Sequence, residues 1–399
     1  MSHTTTNPSK RIQSIDALRG FALAGIVFVH MVEQYTAGMI PEDWQTVKNA
    51  GLIDQIIEGA MFIIIRGKFF ALFSLLFGLS FFIQMDRAAK KGMRFEGRFL
   101  WRLVILFIIG AVHQMFYSGD ILTIYAVVGL LILPFYKVKN KYILIVAFVF
   151  LFGIARFVTY AITGVDDIFP LTGKGDEEYW EILKTGSILE VFHINSMERM
   201  LAKINFQIGF FGRGGLTLGF FLLGLWIGKT RIIEAIDKEK DNLNKIMKWS
   251  LGGLGIFLIL TPVLFMLHGQ NQSMDSWVAM LALTSYDQFN LSFTFVIAIG
   301  FLLLFNKDSW QRRLIVFAPY GRMALTNYFL QSVIGTYILF GWGLGYVGEI
   351  RNYQMFIIAI VVIILQMLIS KWWLSKFRYG PLEWLWRSAT YLKWQPFKK

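Results

Sequence analysis

The chain has 399 residues, 56% of them apolar and 17% aromatic, with a net charge of +13 and a mean hydropathy of +0.54. Apolar stretches long enough to span hydrocarbon recur along nearly its whole length, which excludes a water-soluble globule. It has no cysteine, which excludes disulfides, thiolate nucleophiles and cysteine-ligated metals, and His3, His30, His113, His193 and His268 are too scattered to read as a metal site.

Taken in chain order, the apolar stretches predict an all-α polytopic membrane protein, a bundle of about ten spans at 16–34, 67–85, 99–117, 119–136, 141–163, 209–228, 249–268, 289–305, 323–341 and 354–375. The polar N-terminus, with Lys10 and Arg11, lacks a cleavable-signal pattern. Arg87, Lys90, Lys91, Arg94 and Arg98 follow the second span, Lys137, Lys139 and Lys141 the fourth, and Arg312, Arg313 and Arg322 the eighth. The opposite loops carry Glu42, Asp43, Asp54, Asp166, Asp167, Asp176, Glu177 and Glu178. The positive-inside rule then puts both termini in the cytoplasm. The basic excess meets anionic lipid headgroups and does not imply nucleic acid. Ser118-Gly119-Asp120 predicts a tight helical hairpin, 164–208 predicts amphipathic helices, and 229–248 predicts a cytoplasmic helical linker. The linker divides an N-terminal half, 1–228, from a C-terminal half, 229–399, within one integrated membrane domain. Pro381, Glu383, Trp384 and Trp386 predict a C-terminal interfacial helix.

Ionisable residues inside spans are costly and point to function by default. Arg19 and His30 are eleven residues apart on one helix, so they face within roughly 20° of each other about 16 Å apart along the axis. With Arg98 and Arg102, Arg19 predicts an inner basic cluster suited to phosphate, since arginine offers a rigid fork of donors. His30, Glu33, His113 and Asp120 predict an outer titratable cluster. Glu33 is within reach of His30 on the same helix face, and a carboxylate beside an imidazole fixes its tautomer and raises its basicity. Asn327 and Gln331, adjacent on the ninth span, predict the lining of a substrate cavity. Structural alternatives stand beside each: Arg19 pairing with Asp16, His30 bonding a neighbouring helix, His113 and Asp120 capping the hairpin, Arg98 and Arg102 as interface anchors, and the two amides as interhelical bonds. His193 and His268 read as solvated.

The segment Arg11-Ile-Gln-Ser-Ile-Asp16-Ala-Leu-Arg19-Gly20-Phe-Ala resembles the opening of the transmembrane acyltransferase superfamily, and Arg19, ten residues, then His30 resembles its arginine–histidine motif. The rest is similar to the bacterial YeiB-like family, also called domain of unknown function 418. That likeness rests on Gly67-Lys68-Phe-Phe-Ala-Leu-Phe-Ser-Leu-Leu-Phe-Gly78, on His113 through Asp120-Ile-Leu122, and on Gly321-Arg-Met-Ala-Leu-Thr-Asn-Tyr328 with Arg378-Tyr-Gly-Pro-Leu-Glu-Trp-Leu-Trp-Arg387. The resemblance implies a multi-pass protein of the bacterial cytoplasmic membrane, surrounded by lipid. It implies an acyl group passing from cytoplasmic acyl-coenzyme A, a co-substrate and not a resident cofactor, to an extracytoplasmic or membrane acceptor. Arg19, Arg98 and Arg102 would hold the coenzyme's phosphates, His30 would act as general base or carry the acyl group, and His113 with Asp120 would orient the acceptor. The competing readings are a transporter or flippase of a lipid-linked or small amphipathic substrate, for which Gly212-Arg213-Gly214-Gly215 is a candidate helix break, and a non-catalytic partner protein. A homo-oligomer is compatible with each.

Overall fold

In the computed structural model, residues 8–37, 40–92, 94–164, 176–269 and 276–399 are described, with side chains from Gln13 onward. The Lys10 and Arg11 side chains, and Asp166 and Asp167 of the acidic loop, lie outside that set. Regular structure among the described residues is helical, apart from an isolated bridge between Phe377 and Lys398.

The order is α1 (Pro8–Val32), α2 (Glu42–Lys48), α3 (Leu52–Ala60) running into a π-helical turn, then α4 (Lys68–Ala89), α5 (Glu96–Phe116) and α6 (Leu122–Ile132). Next come α7 (Asn140–Leu151), α8 (Ile154–Thr163), α9 (Asp176–Thr185), α10 (Ile188–His193), α11 (Met200–Ile208) and α12 (Arg213–Thr230). The chain closes with α13 (Ile236–His268), α14 (Trp277–Phe305), α15 (Asp308–Leu314), α16 (Phe317–Arg322), α17 (Ala324–Leu339), α18 (Asn352–Lys376) and α19 (Pro381–Tyr391).

Among the described residues, six helical stretches are long and apolar enough to cross a membrane, or eight if the bent pairs α7–α8 and α11–α12 each count as one span. Two of the ten expected spans fall short of that length. The 119–136 span is the short helix α6 with its 3-10 turn, and the 323–341 span is α17, of 16 residues. At 1.5 Å per residue α17 extends about 24 Å, less than the roughly 30 Å of hydrocarbon. It is also largely buried by neighbouring helices, so protein rather than lipid surrounds most of it.

The segment 229–248, expected to be a helical linker, is largely helical but runs without a break into the span after it. The chain turns at Arg231, whose φ is 56°, and the charged residues from Asp237 to Lys248 form the first turns of α13, one continuous 33-residue helix. The 164–208 segment does form helices (α9, α10 and α11), and the hairpin at 117–121 joins α5 to α6.

Close helix crossings need small residues, because lipid tails supply no hydrophobic drive between apolar helices. Helix α12 packs along α4; a Cβ added at Gly78 would strike the Phe221 carbonyl, and one at Gly224 the Leu75 carbonyl. Helix α1 meets α16 the same way, with Gly20 against the Phe317 carbonyl and Gly321 against that of Asp16. Contacts with α4, α16, α17 and α18 make α1 a central element, which places both Arg19 and His30 within protein.

Both bent pairs break at a glycine. Gly153 has φ 70° and Gly212 φ 56°, and the bends are 55° and 58°. The second confirms the break expected at Gly212. Arg156 braces it by donating to the carbonyls of Phe210 (2.7 Å) and Phe211 (2.8 Å), while pairing with Asp287 of α14 at 2.7 Å. Carbonyls freed by a broken helix must find partners inside the membrane, and the guanidinium supplies them.

Candidate functional site

The hairpin between α5 and α6 sets up the central constellation. His113, in the last turn of α5, lies within 2.8 Å of Asp120 Oδ1 through Nδ1 and within 2.8 Å of Ser332 Oγ through Nε2. Asp120 is fixed because it also caps α6, accepting from the amides of Leu122 (3.1 Å) and Thr123 (2.9 Å) and from the Thr123 hydroxyl (2.8 Å). Lys203 of α11 approaches its other oxygen at 3.6 Å. Burial by itself raises the Asp120 carboxyl; the His113 hydrogen bond, the Lys203 cation and the Thr123 amide outweigh it and hold it at about 2. An ionised carboxylate only accepts, so a neutral His113 carries its proton on Nδ1 and presents a lone pair at Nε2, to which Ser332 donates. His113, Asp120 and Ser332 are all buried.

His30 stands beside this group. Its ring centroid lies 4.9 Å from Tyr117, 5.4 Å from Tyr35 and 5.9 Å from Tyr328, and the Tyr328 ring lies 4.8 Å from His113. Gln331 Nε2 is 3.4 Å from His30 Nδ1, and the buried Gln331 Oε1 has no hydrogen-bond partner among the described residues. The two histidines therefore converge, bridged by tyrosines. Glu33 does not join them: its carboxylate is taken by Arg66 at 2.6 Å, and Arg66 also binds Glu58, which pairs with Lys48. Arg66 offers Glu33 a permanent charge and a fork of donors, so the expected Glu33–His30 pair does not form.

At the other end of α1 lies a cavity of about 660 Å³. Arg19, Arg87, Arg102, Arg322, Arg378 and Arg387 line it, with Asp16 and Glu383 as its carboxylates. Arg19 pairs with Asp16 at 2.9 Å and donates to Ser80 at 3.0 Å, so its Asp16 pairing and its place in the cavity wall coexist. The Arg102 guanidinium stacks 3.7 Å from the Trp386 ring. Arg98, expected beside them, instead faces Tyr391 at 5.0 Å and is absent from the lining. The wall continues through Leu122, Tyr125 and Leu325 to Tyr328, the residue that packs on both histidine rings. Cavity and histidine cluster thus share a wall.

Of the two amides, Gln331 belongs to the histidine cluster and not to the cavity wall. Asn327 lies in neither: it donates to Ser370 at 2.9 Å and receives a bond from Gln366 at its backbone carbonyl, 3.1 Å, tying α17 to α18. Glu383 does more than favour its own helix. It accepts from the amides of Leu325 (2.7 Å) and Thr326 (3.1 Å), capping α17, and burial raises its carboxyl despite those bonds. Helix α19 is also held by Trp386 donating to the Arg102 carbonyl at 2.9 Å. His268, read as solvated, is buried and bonds Ser276 at 3.2 Å. Sequence reasoning passed over Ser332, Tyr328, Lys203 and the Arg156–Asp287 pair. Ser332 had a local signal, since it follows Gln331 directly on the ninth span. Among the described residues no group of three or more His, Cys, Asp or Glu side chains is arranged to hold a metal.

Fold and site define a polytopic, all-α membrane protein with a buried polar centre. Residues 227–393 match the family model described as protein of unknown function (DUF418). The chain is 31% identical over 415 aligned residues to the uncharacterized protein YxaH of Bacillus subtilis (strain 168), covering 99% of this chain and 98% of that one. It is 30% identical to a 39.9 kDa protein in the amylase 3' region of Bacillus acidopullulyticus, over 96% and 94% of the two chains. It is 25% identical to YeiB of Escherichia coli (strain K12), over 96% of each. The chain belongs to this DUF418, YeiB-like family of bacterial membrane proteins.

Proposed function

We propose that the protein is a membrane acyltransferase that takes an acyl group from cytoplasmic acyl-coenzyme A and passes it to an acceptor hydroxyl in or beyond the membrane. The observation that carries this reading is the cavity walled by six arginines at one end and by Tyr328, against the His113 ring, at the other. Forked guanidiniums suit the phosphates of a coenzyme, and the apolar wall between the two ends suits an acyl chain. The likeness of Arg19 and His30 to the superfamily motif points the same way. The basic loops, by the positive-inside rule, put the arginine end in the cytoplasm, with both termini there and lipid around the exposed apolar faces. Helix α19, rich in tryptophan, lies at that interface.

The base role falls to His113, because the orienting carboxylate belongs to it and not to His30. The acceptor hydroxyl gives its proton to His113 Nε2 as its oxygen attacks the thioester carbonyl. The carbon–sulfur bond breaks, and the leaving thiolate takes the proton back from the imidazolium. His30 and Gln331 shape the acyl site. Thermal unfolding of the detergent-purified protein with coenzyme A tests the donor site. At a hundred times its dissociation constant the ligand should stabilise by about 2.7 kcal/mol, with the shift lost in Arg102→Ala and kept in His113→Asn. No shift at millimolar coenzyme would sink the proposal.

A second reading, transport of an amphipathic substrate, draws on the two glycine breaks and the buried Arg156–Asp287 pair, since broken helices with buried charge mark many transporter sites. Against it, Arg156 is fully engaged in bracing the break. Proton-dependent flux in proteoliposomes, abolished by Asp287→Asn, would favour this reading over acyl transfer.

A further inference from the structure

We infer that Ser332 is an acyl-accepting nucleophile, so that transfer proceeds through a covalent acyl-serine; this rests on the acyltransferase reading and replaces its direct attack on the thioester with two successive transfers. The hydroxyl donates to His113 Nε2 at 2.8 Å, and His113 Nδ1 is held by Asp120 Oδ1 at 2.8 Å. That is a serine–imidazole–carboxylate relay, in which the base lies within hydrogen-bond reach of the nucleophile and is itself oriented by a third group. The three come from distant parts of the chain, with Ser332 on α17 packed against the end of α5. A serine needing only a structural partner in a membrane helix bonds its own preceding turn, as Thr336 does to the Ser332 carbonyl at 2.7 Å. Ser332 instead places its hydroxyl against an imidazole already polarised by a carboxylate, with the Tyr35 side chain as a second hydrogen-bond neighbour. One turn before it on the same helix, Tyr328 lines the cavity, so an acyl chain seated there ends beside the relay. The neighbouring Gln331 carboxamide, with its unpartnered buried oxygen, leaves polar capacity for a ligand at the same point.

Ser332 Oγ attacks the thioester carbonyl while its proton passes to His113 Nε2; the new oxygen–carbon bond forms, the carbon–sulfur bond breaks, and the thiolate leaves with that proton. The acceptor hydroxyl then gives its proton to His113, attacks the ester carbonyl, and Ser332 leaves, recovering a proton from the imidazolium.

The test is intact-protein mass spectrometry of the full chain after incubation with acetyl-coenzyme A without acceptor, alongside labelling by an alkyl fluorophosphonate. Wild type should gain one acetyl group that resists neutral hydroxylamine and should label at Ser332, and His113→Asn should lose both. Ser332→Ala should lose the adduct while keeping its coenzyme-induced thermal shift, which shows that it is folded. Ser332→Cys should regain an adduct that neutral hydroxylamine removes, as a thioester requires. A Ser332→Ala protein that keeps the thermal shift and wild-type turnover overturns the inference and leaves the acyltransferase reading intact. Fluorophosphonate labelling of Ser332 without any coenzyme-induced shift supports the activated serine and removes the proposed donor alone. Neither adduct nor label in wild type overturns the inference.

Discussion

At the scale of single residues, Asp120 carries the most consequence, because one carboxylate serves a helix cap, an imidazole and an ammonium group. Its carboxyl sits at about 2 against an ordinary 3.8. A depressed folded value means the stabilisation is fully present above the unfolded value and is lost as pH falls from about 4 towards 2, an amount on the order of 2 kcal/mol. Thermal unfolding between pH 6 and pH 3 should therefore show a wild-type advantage over Asp120→Asn that shrinks with acid; a constant gap would contradict that origin. The same residue shows where sequence reading reaches its limit. His113 and Asp120 are seven apart across a tight turn, so their meeting is legible. Glu33 and His30 are three apart on a helix, and reach alone suggested a pair. Reach does not choose between partners, and Arg66, thirty-three positions away, takes the carboxylate. Ser332, 219 positions from His113, has no local pattern that names its partner.

At the scale of elements, crossings and breaks decide the architecture. The α4–α12 crossing depends on Gly78 and Gly224, each facing a backbone carbonyl that cannot step aside. Gly224→Leu should push the helices apart and destabilise by at least roughly 1–3 kcal/mol, read as a lower melting temperature in detergent; an unchanged melt would contradict this packing. The α11–α12 break depends on Arg156. Arg156→Ala leaves Asp287 buried without its cation and should cost about 3–5 kcal/mol, whereas Arg156→Met with Asp287→Leu removes both charges and should recover much of that loss. Most helices were legible from apolar runs. The helical character of 229–248 was legible too, but its continuity with the span after it was not, because a charged stretch followed by an apolar one reads as two elements where the backbone forms one helix. The role of Glu383 also escaped, since a carboxylate that caps a neighbouring helix has the sequence of one that caps its own.

At the scale of the whole molecule, the alternation of basic and acidic loops gives one orientation. The absence of cysteine makes that orientation directly measurable: single cysteines at Lys139 and Glu178 should label from opposite faces of sealed membranes, and labelling of both from one face would refute it. On the proposed reading, that orientation would turn the arginine cavity towards the cytoplasmic donor and the His113 relay away from it, along one wall that includes Tyr328. The convergence of His30 with His113 depended on how the helices assemble, which the sequence of either helix does not contain. The claim that the two sites work together is tested most directly by release of free coenzyme A thiol from acetyl-coenzyme A in sealed vesicles. The protein, having no cysteine, adds nothing to the thiol signal. Release is expected from inside-out vesicles alone, and is expected to be lost in both Arg102→Ala and His113→Asn. Release that is equal in the two vesicle orientations, or unchanged in His113→Asn, would contradict it.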